Sequence, residues 1–136
     1  MSYQFDFEFD STNRILRGRL DGHVTDGVLK EYHRVATEYA AQIDPRAGIT
    51  DLSAVTSFEV SPQTARELAR STPVMPDPTN RVSVIVGPSD HIFGMARLFQ
   101  FEGAQTRPNL HVVHTLTEAW AVLGVQDPQF ERLQTK

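Results

Sequence analysis

The run Arg81-Val82-Ser83-Val84-Ile85-Val86-Gly87 constrains the fold more than any other part of this chain. Apolar β-branched residues stand on both sides of the pleat, so neither face of such a strand can rest in water. The pattern predicts a central strand of a sheet that helices cover, and it sets the frame into which the other segments must fit.

At the N-terminal end, Tyr3, Phe5, Phe7 and Phe9 alternate with Gln4, Asp6 and Glu8, the period of two expected of a half-buried strand. Asp10-Ser11-Thr12-Asn13 carries turn residues, Ile15 to Leu20 reads as a second strand, and Asp21-Gly22 closes the hairpin. Val28, Leu29, Tyr32, Val35, Ala36 and Tyr39 recur at helical spacing behind a cap at Thr25 or Asp26, predicting a helix to about Ala41. A strand follows at Ala47 to Val55, and Ser61-Pro62 opens a second helix that ends near Ser71. Thr72 to Asn80, with Pro73, Pro76 and Pro78, reads as an irregular surface loop. Ser89 or Asp90 caps a third helix through about Phe101, and Leu110–His114 and Leu116–Leu123 supply a last strand and helix. The order is β-β-α-β-α-β-α-β-α: an α/β domain with an N-terminal hairpin and a mixed, largely parallel sheet of five strands under helices. Residues 1–125 make up the domain, and the polar segment Gln126–Lys136 reads as a frayed tail.

Composition removes several classes of function. The 136 residues suffice for one core, and 13 Lys and Arg against 17 Asp and Glu leave a net charge of −4 with no basic stripe for nucleic acid. With no Cys, disulfides and thiolate chemistry are absent. Met1 to Asp6 lacks the basic start and apolar run of a secretion signal, and no stretch is apolar for the roughly 20 residues a bilayer requires. A cytoplasmic protein that does not cross a membrane is expected.

Parallel strands gather their C-terminal ends and the helix N-termini on one edge, where ligands of open α/β sheets bind. That edge is expected to carry Asp51, Ser53, Ser61, Ser89, Asp90 and His91, with Thr115 and Thr117. Arg66 and Arg97, one or two turns into their helices, could help hold an anion there. Ser89-Asp90-His91 has the residue types of a hydrolase triad, but adjacent side chains do not form the required line; a composite of Ser53 or Ser61 with His91 is the one arrangement left to an enzyme. His111 and His114 stand three apart on a strand and so face opposite ways, which argues against a metal site. No glycine-rich phosphate loop is present, and no cofactor is expected. The helix from Ile92 to Phe101 is apolar around more than one face: Phe93, Met95, Phe99 and Phe101 suit an interface, a homodimer contact or an apolar pocket.

Two stretches resemble a known family. Asp51-Leu52-Ser53-Ala54-Val55-Thr56-Ser57-Phe58-Glu59-Val60-Ser61-Pro62 is similar to the strand-to-helix signature of STAS domains, the bacterial anti-sigma factor antagonists, in which Asp-Leu-Ser-x-Val precedes Asp-Ser-Ser-Gly and a helix. Aligned without gaps, Glu59 takes the acidic position, Val60 the first Ser, Ser61 the second and Pro62 the Gly. Ser89 to Arg97 and Thr117 to Gly124 resemble the uncharacterised STAS-like group, which is related in fold to CRAL-TRIO lipid-transfer domains. The resemblance implies a non-enzymatic regulatory module that binds a protein partner and is phosphorylated at Ser61, or alternatively a carrier of a lipid or small apolar ligand. Without the resemblance, Ser61 is a helix cap.

Overall fold

In the computed structural model, which describes residues 4–133, the hairpin is built from β1 (Phe5–Asp10) and β2 (Ile15–Thr25), paired antiparallel from Phe5↔Leu20 to Asp10↔Ile15. Tyr3 lies outside the described residues. Phe5, Phe7 and Phe9 all turn to one face of the sheet, as their spacing predicts, and Asp10 ties down the turn by accepting hydrogen bonds from the amides of Thr12 and Asn13. Then follow α1 (Asp26–Ile43), β3 (Ala47–Glu59), α2 (Pro62–Arg70), β4 (Val82–Val86), α3 (Asp90–Glu102), β5 (Leu110–Val113), α4 (Leu116–Leu123) and β6 (Glu131–Arg132).

The sheet has six strands in the order β5-β4-β3-β2-β1-β6, with β2 to β5 mutually parallel. Each crossover from β2 to β5 steps in the same direction. Right-handed connections therefore put α1, α2 and α3 on the same face. There Leu16, Leu20, Leu52 and the β1 aromatics meet Tyr32, Ala36 and Ile92. The opposite face packs Ile15, Ile49, Val84 and Val86 against Ala119 and Trp120 of α4 and against Phe130. β4 is thus covered on both sides, as its sequence requires.

Three expectations change. Asp21-Gly22 does not close the hairpin: β2 runs on to Thr25, and β3 to Glu59, because the two strands pair with each other beyond the end of β4. The register shifts around Asp21 and Gly22, and Gly22 sits at φ +68°, the left-handed geometry that a bulge and a turn both favour. The segment after Val125 is not frayed up to Leu133. Gln129 donates its amide to the buried Asp10 carboxylate, Phe130 packs on Trp120, and Glu131 and Arg132 pair with Phe9 and Glu8 as a sixth strand. A polar sequence hides this strand because its pairing is to β1, more than a hundred residues away in the chain. Gln134 to Lys136 lie outside the described residues.

One close approach fixes how α1 sits. A Cβ at Gly18 would lie 2.1 Å from the Tyr32 hydroxyl, so only Gly lets that ring reach the sheet and meet the Thr50 hydroxyl at 2.9 Å. Burial drives the Tyr32 phenol well above its usual range, so it is neutral at any ordinary pH.

Candidate functional site

Because β2 to β5 are parallel, the helices that follow them all begin at one edge of the sheet, and each begins with a hydroxyl cap. Thr25, Ser61, Ser89 and Thr115 accept from the amides of Val28, Thr64, Ile92 and Glu118 at 3.3, 3.1, 3.2 and 3.1 Å. Thr115 and Glu118 close a full capping box. The caps at Thr25 and Ser89 leave Asp26 and Asp90 as the first helical residues.

That release gives Asp26 another partner. Its Oδ1 accepts the Ser61 amide at 2.8 Å, and its Oδ2 lies 3.3 Å from the Ser61 hydroxyl, which is also 3.1 Å from Thr64 Oγ1. The Ser61 amide, ahead of the Thr64 and Ser61 hydroxyls and the Lys30 charge, holds the Asp26 carboxyl below its usual range despite the raising effect of burial. The start of α1 is thereby bound to the start of α2. Ser61 is half-buried, with exposed Glu59, Pro62 and Gln63 around it.

His91 lies at the same edge. Its Nε2 is 3.1 Å from the Phe58 carbonyl oxygen, and its ring meets the Phe58 ring edge-on. It is therefore engaged by the end of β3 and not by a serine hydroxyl. Ser89 Oγ is engaged by its cap and Ser61 Oγ by Asp26 and Thr64, so neither forms a nucleophile–base pair with His91. His23 Nε2 lies 3.3 Å from Glu59 Oε1, an exposed contact between the overhanging ends of β2 and β3.

Several expected edge residues sit elsewhere. Asp51 is mid-strand because β3 continues to Glu59; it is 2 % exposed and faces α4, where Arg17 Nη2 donates to it at 2.6 Å. Burial by itself raises this carboxyl, but hydrogen bonds from Ser53 and Arg17, with the Arg17 charge, outweigh it and hold the carboxyl below its usual range. Ser53 donates its amide to Asp51 and is exposed away from the helix starts. Arg66 turns from Ser61 to Glu102, its Nε 3.6 Å from the carboxylate that Arg70 also approaches at 3.5 Å, so it closes α2 onto α3 instead of an anion. Arg97 is exposed on α3.

The aromatic helix divides in the same way. Phe93 stacks flat on His114 at 3.9 Å, and Phe101 is 79 % exposed. Met95 and Phe99 face inward, and the Arg107 guanidinium lies 4.9 Å from the Phe99 ring centre. The four side chains do not form one stripe. Sequence reasoning missed Asp26, which reads as a redundant cap, and also His33 and Arg107, which carry no motif. The signal for Asp26 was present: consecutive crossovers place the starts of α1 and α2 side by side.

Among the described residues no helix is long and apolar enough to cross a membrane, and no group of three or more His, Asp or Glu is arranged to hold a metal. No protein-family model and no curated protein matches the sequence. Solved structures do. The phosphorylated form of the Bacillus cell fate determinant SpoIIAA superimposes with a TM-score of 0.54 at 20 % identity, over 86 % of this chain and 96 % of that one. The unphosphorylated anti-sigma factor antagonist SpoIIAA gives a TM-score of 0.56 at 14 % identity, over 90 % and 99 % of the two chains. A hairpin leading into three same-handed crossovers, over nearly the full length of both chains, gives this protein the STAS-like fold of SpoIIAA.

Proposed function

We propose that this chain is a non-enzymatic regulatory module that a protein partner recognises at the helix-start edge, and that phosphorylation of Ser61 switches that recognition. The observation that carries the reading is the bond between Ser61 and Asp26. A phosphoryl group on Ser61 Oγ removes the hydroxyl proton and adds about −1.5 to −2 charges beside the Asp26 carboxylate. The amides at the start of α2 favour the new charge, while Asp26 repels it. The balance loosens α1 from α2 and changes the surface formed by Glu59, Pro62, His91 and the ends of β2 and β3. The likeness in fold to a protein solved in phosphorylated and unphosphorylated forms supports this reading. Pro62 fits it as well, since Pro at the first helical position fixes the backbone where the phosphate would sit.

The test is affinity capture from the native cells with phosphosite mapping, followed by partner binding to Ser61→Ala and Ser61→Asp. A partner that distinguishes the two variants by tenfold or more, with phosphate mapped to Ser61, is the expected result. A partner that binds both equally, or phosphate mapped only elsewhere, overturns the switch.

A further inference from the structure

Between the sheet and the three helices that share its face lies a cavity of about 170 Å³. Leu16, Met75, Ile85, Met95 and Phe99 provide apolar walls, from β2, the segment before β4, β4 itself and α3. Apolar cavities of about 150 Å³ stay dry and admit a single benzene-sized ring. The space falls short of the roughly 300–1,000 Å³ of pockets for drug-sized ligands. A two-chain lipid has no room here, whereas one ring or a short branched chain does.

Six polar residues, His33, Thr50, Arg81, Ser83, Arg107 and Asn109, interrupt the apolar lining; Arg81 is paired with Asp44, and two of the others stand out. The half-buried Arg107 donates Nη1 to the Ala69 carbonyl at 2.6 Å and to the Thr106 hydroxyl at 3.2 Å, and Nη2 to the Leu68 carbonyl at 3.0 Å, closing the end of α2, yet among the described residues no carboxylate pairs with it. His33, on α1, has a buried Nε2 with no hydrogen-bond partner. Burial, then the Arg107 cation, lowers the His33 ring below its ordinary value, while the Thr72 main chain acts in the opposite sense. Buried polar atoms are normally satisfied, and a cation drawn partly out of water is better off with a counter-charge. A half-charge from the end of α2 compensates Arg107 only in part.

We infer that this cavity binds a compact apolar carboxylic acid, its ring or short chain among Met75, Met95 and Phe99 and its carboxylate toward Arg107 and His33. The site lies beneath α1–α3, with Phe58, Val60 and Ile92 bordering both it and the helix-start edge, and the inference does not rest on phosphorylation of Ser61. An acid fits the lining better than a neutral ring because it supplies the counter-charge that Arg107 lacks, and that charge beside His33 favours the protonated ring, whose Nε2 can then donate.

Titration of the methionine ε-methyl resonances with benzoate tests the inference, with toluene as the uncharged ring of similar size. Saturable shifts of both Met75 and Met95, with a Kd on the order of 1 mM or tighter, are expected for benzoate. Ala36→Leu places a larger side chain into the cavity wall and should weaken binding at least tenfold in a protein that still folds. Arg107→Gln keeps a donor for the α2 carbonyls and should weaken benzoate about tenfold while leaving toluene unchanged. No shift with benzoate, or binding unaffected by Ala36→Leu, overturns the site. Toluene binding as tightly as benzoate, or equal losses for both in Arg107→Gln, overturns the acid as its ligand.

Discussion

The two faces of the sheet are built on different principles. On the α4 face, opposite charges are brought inside and paired: Arg17 bridges Glu8 at 3.2 Å and Asp51 at 2.6 Å through its Nη atoms, its guanidinium lies near the Phe130 ring, and Asp10 is satisfied by the turn and by Gln129. On the α1–α3 face the lining is almost wholly apolar and yet leaves space, with His33 and Arg107 incompletely matched. Neither face satisfies every polar atom among the described residues: Arg17 Nε and Asp6 Oδ1 lack hydrogen-bond partners on the α4 side, and His33 Nε2 and Tyr39 Oη lack them on the other. The difference is that the α4 side pairs its opposite charges directly. A short helix and the segment carrying Phe130 cover it, with side-chain hydrogen bonds at Thr115–Glu118 and from Gln129 to Asp10 at their ends. Three helices span the other face, where Tyr32 of α1 is seated directly on Gly18 of the sheet.

The largest expected break in this contrast is Asp51→Asn. Removing one partner of a well-buried pair costs about 3–5 kcal/mol, and Glu8 should hold the loss near the lower limit. Urea unfolding measures it, and the loss should also release the tail packed by Phe130. Gly18→Ala attacks the opposite face. Its Cβ would overlap the Tyr32 ring, push α1 outward at a cost of about 2 kcal/mol and break the hydrogen bond between Tyr32 and Thr50. Chemical unfolding checks the stability, and the ring resonances of Tyr32 check the displacement.

Acid should separate the faces by pH. The His33 pKa is lowered on folding, so its contribution is complete above the unfolded value of about 6.5 and is lost as pH falls below it through the folded value. Asp51 is lowered in the same sense, but its contribution persists until the pH falls below about 3.9. Unfolding free energy measured from pH 8 to pH 3 should therefore decline first through the α1–α3 face. His33→Gln should remove the early decline and leave the late one. The smallest effect is that of Ser61→Ala, about 1 kcal/mol from the lost cap, with the Asp26–Ser61 amide bond retained. Thermal unfolding detects it, and it lies well below the effect at either face.

Most of the scaffold can be read along the chain because it is written locally. The β-branched run at 82–86, the aromatic alternation at 5–9 and Ser61-Pro62 each report their own backbone environment, since burial period and capping chemistry act over a few residues. The ends of β2 and β3 are not legible in this way, because Asp21-Gly22 serves a bulge as readily as a turn and the neighbouring strand decides whether the chain reverses or continues. A strand that ends early would carry Asp51 to the edge; the longer β3 keeps it inside. Arg66 suits an anion until the fold brings in Glu102, which is distant in sequence.

The amino-acid order alone determined the four helices and the positions, though not all the ends, of the first five strands, that they form an α/β sheet with an antiparallel start, and that hydroxyl residues cap the helices. Only the tertiary structure decided that Asp26 binds Ser61, that Arg17 joins Glu8 to Asp51, that residues 131–132 complete the sheet, and that His33 and Arg107 border a cavity. The physical reason is range. Propensity, period and capping depend on neighbours within about four residues, whereas a pairing or a void depends on which distant elements the crossovers bring face to face.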